Sequence, residues 1–197
     1  MQGSRSATVE RKTRETHVRV ELDLDGSGNY EIATGVPFFD HMLSHVAVHS
    51  LIDMGVSCQG DLEVDAHHSV EDVGIAMGQA LADAVGDKRG IARYGSQTLP
   101  MDEALASVSL DLSGRGLMVY RADIPCDRVG NFDTELVPEF LRAFAHNAGM
   151  TLHVTVVYGA NTHHMIEAMF KALGRALGQA VAYDARRAGI ASTKGVL

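Results

Sequence analysis

The chain is predicted to be an α+β protein built from two tandem ββαβα-like units, with antiparallel sheets backed by helices. Three observations predict this. The motif His-His-x-x-Glu occurs twice, as residues 67–71 and 163–167, and the copies lie 96 positions apart in 197 residues. Around each copy the same order of strand, glycine turn, Val-Pro, helix and strand recurs. The helices that carry the motifs also share a stripe of small residues, Gly74, Gly78 and Ala82 in one and Gly174 and Gly178 in the other.

Each element has its own signal. Val18, Val20, Leu22 and Leu24 alternate with polar residues, as a half-buried strand requires. Asp25-Gly26-Ser27-Gly28 turns the chain into a second strand through Tyr30 and Ile32. Ser109 to Gly116 repeats the strand and turn, continuing through Val119. After each Val-Pro, apolar residues follow helical spacing: Phe39, Met42, Leu43, Val46 and Ala47, then Phe140, Leu141, Phe144 and Ala145. Strands follow near Met54–Cys58 and Leu152–Val157, and each His-His-x-x-Glu then opens a second helix. Glycine inside a helix costs about 1 kcal/mol against alanine, so the small stripe predicts close packing on a neighbour. The segment Val85–Leu99 is read as the joint between halves of about 8–90 and 91–197, which together make a single domain.

Composition excludes several classes. A formal charge of −8 argues against a general nucleic-acid binder, which needs a basic surface. No apolar run reaches the roughly 18 residues of a membrane span, and residues 1–8 lack the apolar core of a signal peptide. Two cysteines, Cys58 and Cys126, both in apolar-patterned stretches, point to free thiols in a reducing cytoplasm. Ten histidines are the outlier.

On a helix His67 and Glu71 share a face, as do His163 and Glu167, while His68 and His164 sit about 100° round. Each motif can thus offer a His/Glu pair to one metal and its second histidine to another. Imidazole and carboxylate without thiolate suit Mn, Fe or Zn. His41 is a further candidate. His45, His49, His146 and His153 have no matching repeat partner and are read as packing or surface residues; Asp25 and Asp61 are read as turn residues. Arg115 lies in a tight Ser-Gly-Arg-Gly turn, and Ala191-Ser-Thr-Lys-Gly195 is similar to an anion-binding turn.

Taken in order, several stretches resemble imidazoleglycerol-phosphate dehydratases. They are Arg-Glu-Thr (14–16), Gly-Val-Pro-Phe-Phe-Asp-His-Met-Leu (35–43), Asp-Ala-His-His-Ser-Val-Glu-Asp-Val-Gly-Ile-Ala (65–76), Pro-Met-Asp-Glu-Ala-Leu (100–105), Asp-Leu-Ser-Gly-Arg (111–115), Asn-Thr-His-His-Met-Ile-Glu-Ala-Met-Phe-Lys-Ala (161–172) and Ser-Thr-Lys-Gly-Val-Leu (192–197). The resemblance implies a split β-α-β fold and two Mn(II) ions. It implies that His41, His68, His163 and Glu167 hold one ion, and His67, Glu71 and His164 the other. Glu139 stands where the family often has a histidine completing the second site, which changes that site's charge. Arg93, Arg115, Lys171, Ser192, Thr193 and Lys194 match the family's substrate contacts. Trimers assembling into a 24-subunit homo-oligomer, with metals at subunit contacts, are implied too.

The implied reaction explains such ligands. Imidazoleglycerol phosphate loses hydroxide beside its ring and a proton from the neighbouring carbon, which no carbonyl acidifies. A dinuclear site can hold the ring as an imidazolate, which expels hydroxide and acidifies that C–H. Glu15 is the first choice for acid/base work and substrate contact, with Glu71 or Glu167 as alternatives. A dinuclear metallohydrolase and a non-catalytic metal-binding shell subunit remain open on the motifs alone.

Overall fold

The computed structural model describes residues 5–196. The first half runs β1 (Ser6–Lys12), β2 (Thr16–Asp23), β3 (Tyr30–Ala33), α1 (Pro37–Ser50), β4 (Asp53–Gly60) and α2 (His67–Val85). The second runs β5 (Tyr94–Met101), β6 (Ala104–Asp111), β7 (Leu117–Arg121), the short pair β8 (Arg128–Val129) and β9 (Phe132–Asp133), α3 (Leu136–Asn147), β10 (Thr151–Tyr158) and α4 (Thr162–Val181). The main sheets are ordered β1-β2-β4-β3 and β5-β6-β10-β7, which is one topology used twice.

The predicted α+β fold is present, with two additions. Each unit gains an N-terminal edge strand, so β5 occupies much of the segment read as a joint. The edge strand β1 is weakly marked in the sequence because its inward face is Ala7, Val9 and Arg11, a faint apolar signal; Arg11 instead pairs with the buried Asp72 of α2 at 2.9 Å. The sheets are also mixed, since β3 runs parallel to β4 and β7 parallel to β10. A helix follows β3 and β7 before the chain re-enters the same sheet at β4 and β10, and such a crossover returns the chain in the same direction.

Helices α2 and α4 pack on the sheets, and across the middle α1 packs on α4 and α2 on α3. The four helices therefore lie between the two sheets, with a core running through Val20, Phe39, Val73, Val108, Phe140 and Leu173. The small stripes do what the sequence predicts. A Cβ on Gly78 would fall 2.7 Å from the Phe144 carbonyl oxygen, and one on Gly178 would fall 2.6 Å from that of Ser50. These helix pairs meet backbone to backbone. Cys58 is buried as its pattern suggests; Cys126 is exposed, because the segment from Ala122 is an irregular loop rather than an apolar element. Among the described residues no helix is long and apolar enough to cross a membrane.

Candidate active site

The first turn of α4 is set by Asn161, whose side chain accepts hydrogen bonds from the backbone N–H groups of His163 (2.9 Å) and His164 (3.3 Å). From this turn His163 and Glu167 project on one face, with Nε2 3.0 Å from Oε2. Helix α1 lies against that face at the distance its partner's glycines permit. It brings His41 Nε2 to 3.6 Å from Glu167 Oε2, and His45 Nε2 to 3.5 Å from Oε1. His41, His45 and Glu167 are, among the described residues, the one trio of imidazole, thiol or carboxylate donors with ligand atoms all within 4.8 Å of one another.

Electrostatics favour a charged carboxylate beside neutral imidazoles. Glu167 is only 6% exposed, and Lys171 Nζ sits 2.6 Å from its Oε1. Burial opposes ionisation of Glu167, but hydrogen bonds from Lys171 and His163 outweigh it and hold the carboxyl down at about 2. Burial pushes His45 down to about 4, only partly opposed by Glu167, so at neutral pH it keeps a lone pair. Burial also lowers His49, with Lys171 and Arg175 adding to the effect. Two imidazoles and a carboxylate without thiolate, open to solvent through His41, fit a Mn, Fe or Zn ion. The Lys171 ammonium meets the same carboxylate and already supplies part of the positive charge it requires.

The second histidine of each motif faces a different carboxylate. His164 Nδ1 lies 2.7 Å from Glu103 Oε2, on the β5–β6 turn. His68 Nδ1 lies 3.0 and 3.1 Å from the two oxygens of Asp61 in the β4–α2 loop, with Glu15 on the β1–β2 turn 3.9 Å away. These hydrogen bonds raise both histidines above the ordinary imidazole value. The His164 hydrogen bond, with backbone N–H groups adding, holds Glu103 down at about 2.

The other helix pair is sparser. Gly78 meets Phe144 and Asn147 as Gly174 meets Val46 and His49. A shift of 98 therefore relates α1 to α3, while 96 relates α2 to α4. On that register Glu139 occupies the place of His41, Ala143 that of His45, Glu71 that of Glu167 and Ile75 that of Lys171. Glu139 is half-buried and paired with Arg142 on its own helix. His67 makes an edge contact with the His68 ring, 6.3 Å between centroids.

A separate basic cleft of about 750 Å³ is lined by Arg93, Arg115, Arg187, Ser192, Thr193 and Lys194. Arg93 is buried, with Nε and Nη2 on Asp111 (2.6 and 2.9 Å) and Nη1 on the Ala191 carbonyl (2.5 Å), so most of its donors brace the wall. Its backbone N–H bonds to Ala180, near the C-terminal end of α4, whereas His163 opens that helix. At 1.5 Å rise per residue the two ends are about 25 Å apart. Lys171 stays with Glu167 and does not line the cleft.

Some residues here escaped the sequence reading. His45, read as packing, belongs to the trio; its signal was the i, i+4 spacing from His41, which repeats at His49. Asp61, read as a plain turn residue, faces His68, and Glu103 faces His164. Arg187 had no local signal at all.

Comparison with known proteins agrees with the resemblance. The family model for imidazoleglycerol-phosphate dehydratase matches residues 34–177. An imidazoleglycerol-phosphate dehydratase of Syntrophobacter fumaroxidans is 58% identical over 197 residues, covering 100% of both chains. That of Acetivibrio thermocellus is 58% identical over 98% of this chain and 99% of its own. The crystal structure of the Staphylococcus aureus enzyme superposes with a TM-score of 0.83 at 41% identity, over 91% of this chain and 99% of that one. A Pyrococcus furiosus structure in complex with (S)-C348 gives 0.84 at 35% identity, over 96% and 100%.

Proposed function

The chain belongs to the imidazoleglycerol-phosphate dehydratase family, a family of lyases, and we propose that it makes imidazole acetol phosphate in histidine biosynthesis at two Mn(II) ions held by its paired motifs. The observation that carries the metal reading is the His41, His45 and Glu167 trio, with His163 hydrogen-bonded to the same carboxylate. These residues would hold one ion, with His68 arriving from elsewhere. His67, Glu71, His164 and Glu139 would hold the other. Bound Mn(II) would supply Lewis acidity to the substrate's ring.

The protein residues divide the remaining work. Glu167, kept ionised by Lys171 and His163, provides fixed negative charge, and burial keeps His45 neutral. Glu15, exposed at a hairpin tip, is free to carry the proton taken from carbon. Arg115 and Lys194, both exposed in the cleft, bind the phosphate dianion, with Ser192 and Thr193 hydroxyls adding hydrogen bonds.

Glu167 of the trio lies 13 residues before Ala180 at the cleft wall, a span along α4 of about 20 Å that a sugar-phosphate-sized substrate does not bridge. A second copy must bring one to the other, which supports a homo-oligomer; trimers building 24 subunits is the form the family resemblance implies. Two free cysteines favour a reducing cytoplasm. A coupled assay of imidazole acetol phosphate after chelation and Mn(II) return tests the activity. Product that depends on Mn(II) is expected; ester cleavage without dehydration would favour a metallohydrolase instead.

A further inference from the structure

We infer that Glu103 is a positioning residue, which fixes the tautomer of His164 from the tip of the β5–β6 hairpin and so aims the Nε2 lone pair of that ring at the metal. The inference rests on the reading of His164 as a ligand and adds what prepares it.

Glu103 uses both oxygens. Oε1 accepts the backbone N–H groups of Ala160 (3.2 Å) and Asn161 (2.7 Å), which fastens the hairpin to the residues just before α4. Asn161 then caps the turn carrying both histidines. Oε2 takes His164 Nδ1 at 2.7 Å. A carboxylate can only accept here, so in the neutral ring that ligates a metal Nδ1 carries the hydrogen and Nε2 keeps a lone pair. Neutral ligand histidines commonly have their other ring nitrogen held in this way, which sets both tautomer and ring direction.

The first half meets the same need differently. His68 Nδ1 is held by Asp61, from the six-residue loop 61–66. The matching loop, Gly159-Ala160-Asn161, has three residues and no carboxylate. The hairpin supplies one instead. Strands β5 and β6 correspond to β1 and β2 at an offset of 88, which makes Glu103 the counterpart of Glu15. Duplication thus put a carboxylate on both hairpin tips. Asp61 already serves His68, so Glu15 stays 3.9 Å from that ring, within ion-pair reach but beyond a hydrogen bond, whereas Glu103 is bound on both oxygens. One tip is available to move protons and the other is a strut.

Glu103→Gln separates this role from a purely structural one. Glutamine keeps the shape and an oxygen for the Ala160 and Asn161 N–H groups, but presents an NH2 to Nδ1. The ring must then accept at Nδ1 and carry its hydrogen on Nε2, the ligating atom. Mn(II) binding to the chelated and reloaded full chain would be followed by loss of the free-ion electron paramagnetic resonance signal. Nitrogen NMR of metal-free, 15N-histidine-labelled protein would report the tautomer, with His164→Asn identifying the resonance. The expected result is Nδ1–H in wild type, Nε2–H in Glu103→Gln, at least ~10-fold weaker Mn(II) at one site and an unchanged metal-free melting temperature. Wild-type affinity in Glu103→Gln would overturn the inference. If the variant fails to fold, an Nε2–H tautomer in wild type overturns it, and Nδ1–H supports it. Absence of Mn(II) binding by wild type itself would instead fail the metal reading, and this inference with it.

Discussion

The two helix seams, α1 against α4 and α2 against α3, are copies of one construction that now hold different chemistry. Both rely on interior glycines for backbone contact, and both place a His-x-x-x-Glu face beside the seam. On the first seam the facing helix contributes His41 and His45, and α4 adds Lys171, so a 6%-exposed carboxylate is surrounded by donors. On the second the same places hold Glu139, Ala143 and Ile75, and Glu71 stays half-exposed. The turn after the second strand diverged similarly: Asp111-Leu-Ser-Gly-Arg115 matches Asp23-Leu-Asp-Gly-Ser27, so only the second half points an arginine into the cleft. Duplication preserved what packing demands, while residues at the seam's open end were free to change. The first seam holds the donor-rich cluster within one chain, whereas the second, with Ala143 and Ile75 at the matching places, brings fewer charged groups to its carboxylate.

The largest difference should appear on deleting each seam's carboxylate. Glu167→Ala strands a partly buried ammonium, so the metal-free protein is expected to lose about 3 kcal/mol in urea unfolding. Glu71→Ala, with no buried cation to abandon, is expected to lose under about 1 kcal/mol. Equal losses would erase the distinction between the seams.

Acid should act next. His45 is held at about 4 against an ordinary value of 6.5, so as pH falls through this window the unfolded chain takes the proton first. A depressed folded value means stability is complete above 6.5 and declines down to about 4; at ~1.4 kcal/mol per unit, the full decline is up to about 3 kcal/mol. Glu167 has the same sign at lower pH, losing its contribution from about 4.5 down to about 2. Denaturation of chelated protein from pH 7 to 4 checks this. His45→Asn should flatten the slope, and an unaltered slope would remove His45 from the account.

In the cleft, Arg115→Ala and Lys194→Ala should each raise KM for imidazoleglycerol phosphate with kcat little changed, a loss of about 1.5–3 kcal/mol per charged hydrogen bond. The exposed Ser27 of the first half offers no equivalent, so Ser27→Ala should leave KM alone. If Arg115→Ala did too, the charge asymmetry between halves would have no part in binding.

The smallest effect sharpens the second seam. Glu139 stands where His41 stands in the other copy. Glu139→Gln is expected to weaken one Mn(II) site roughly 10-fold and spare the other. Two sites titrating as in wild type would mean that Glu139 serves only Arg142.

The sequence by itself determined the duplication, the helix faces, the glycine contacts and the inner strands, because each is written in short-range periodicity or in an exact repeat. The family resemblance, carried on ordered motifs, named the candidate histidines and carboxylates. Only the tertiary structure decided which of these meet within one chain. It placed His45 with His41 and Glu167, kept Lys171 beside Glu167 and away from the cleft, and set Asp61 against His68 and Glu103 against His164. The edge strands were equally invisible, since their inward faces are only weakly apolar. The reason is the same in each case. Periodicity reports which way a side chain faces, whereas a contact between a hairpin tip and a helix start 61 residues later is set by strand order and loop length, and neither leaves a local mark in the chain.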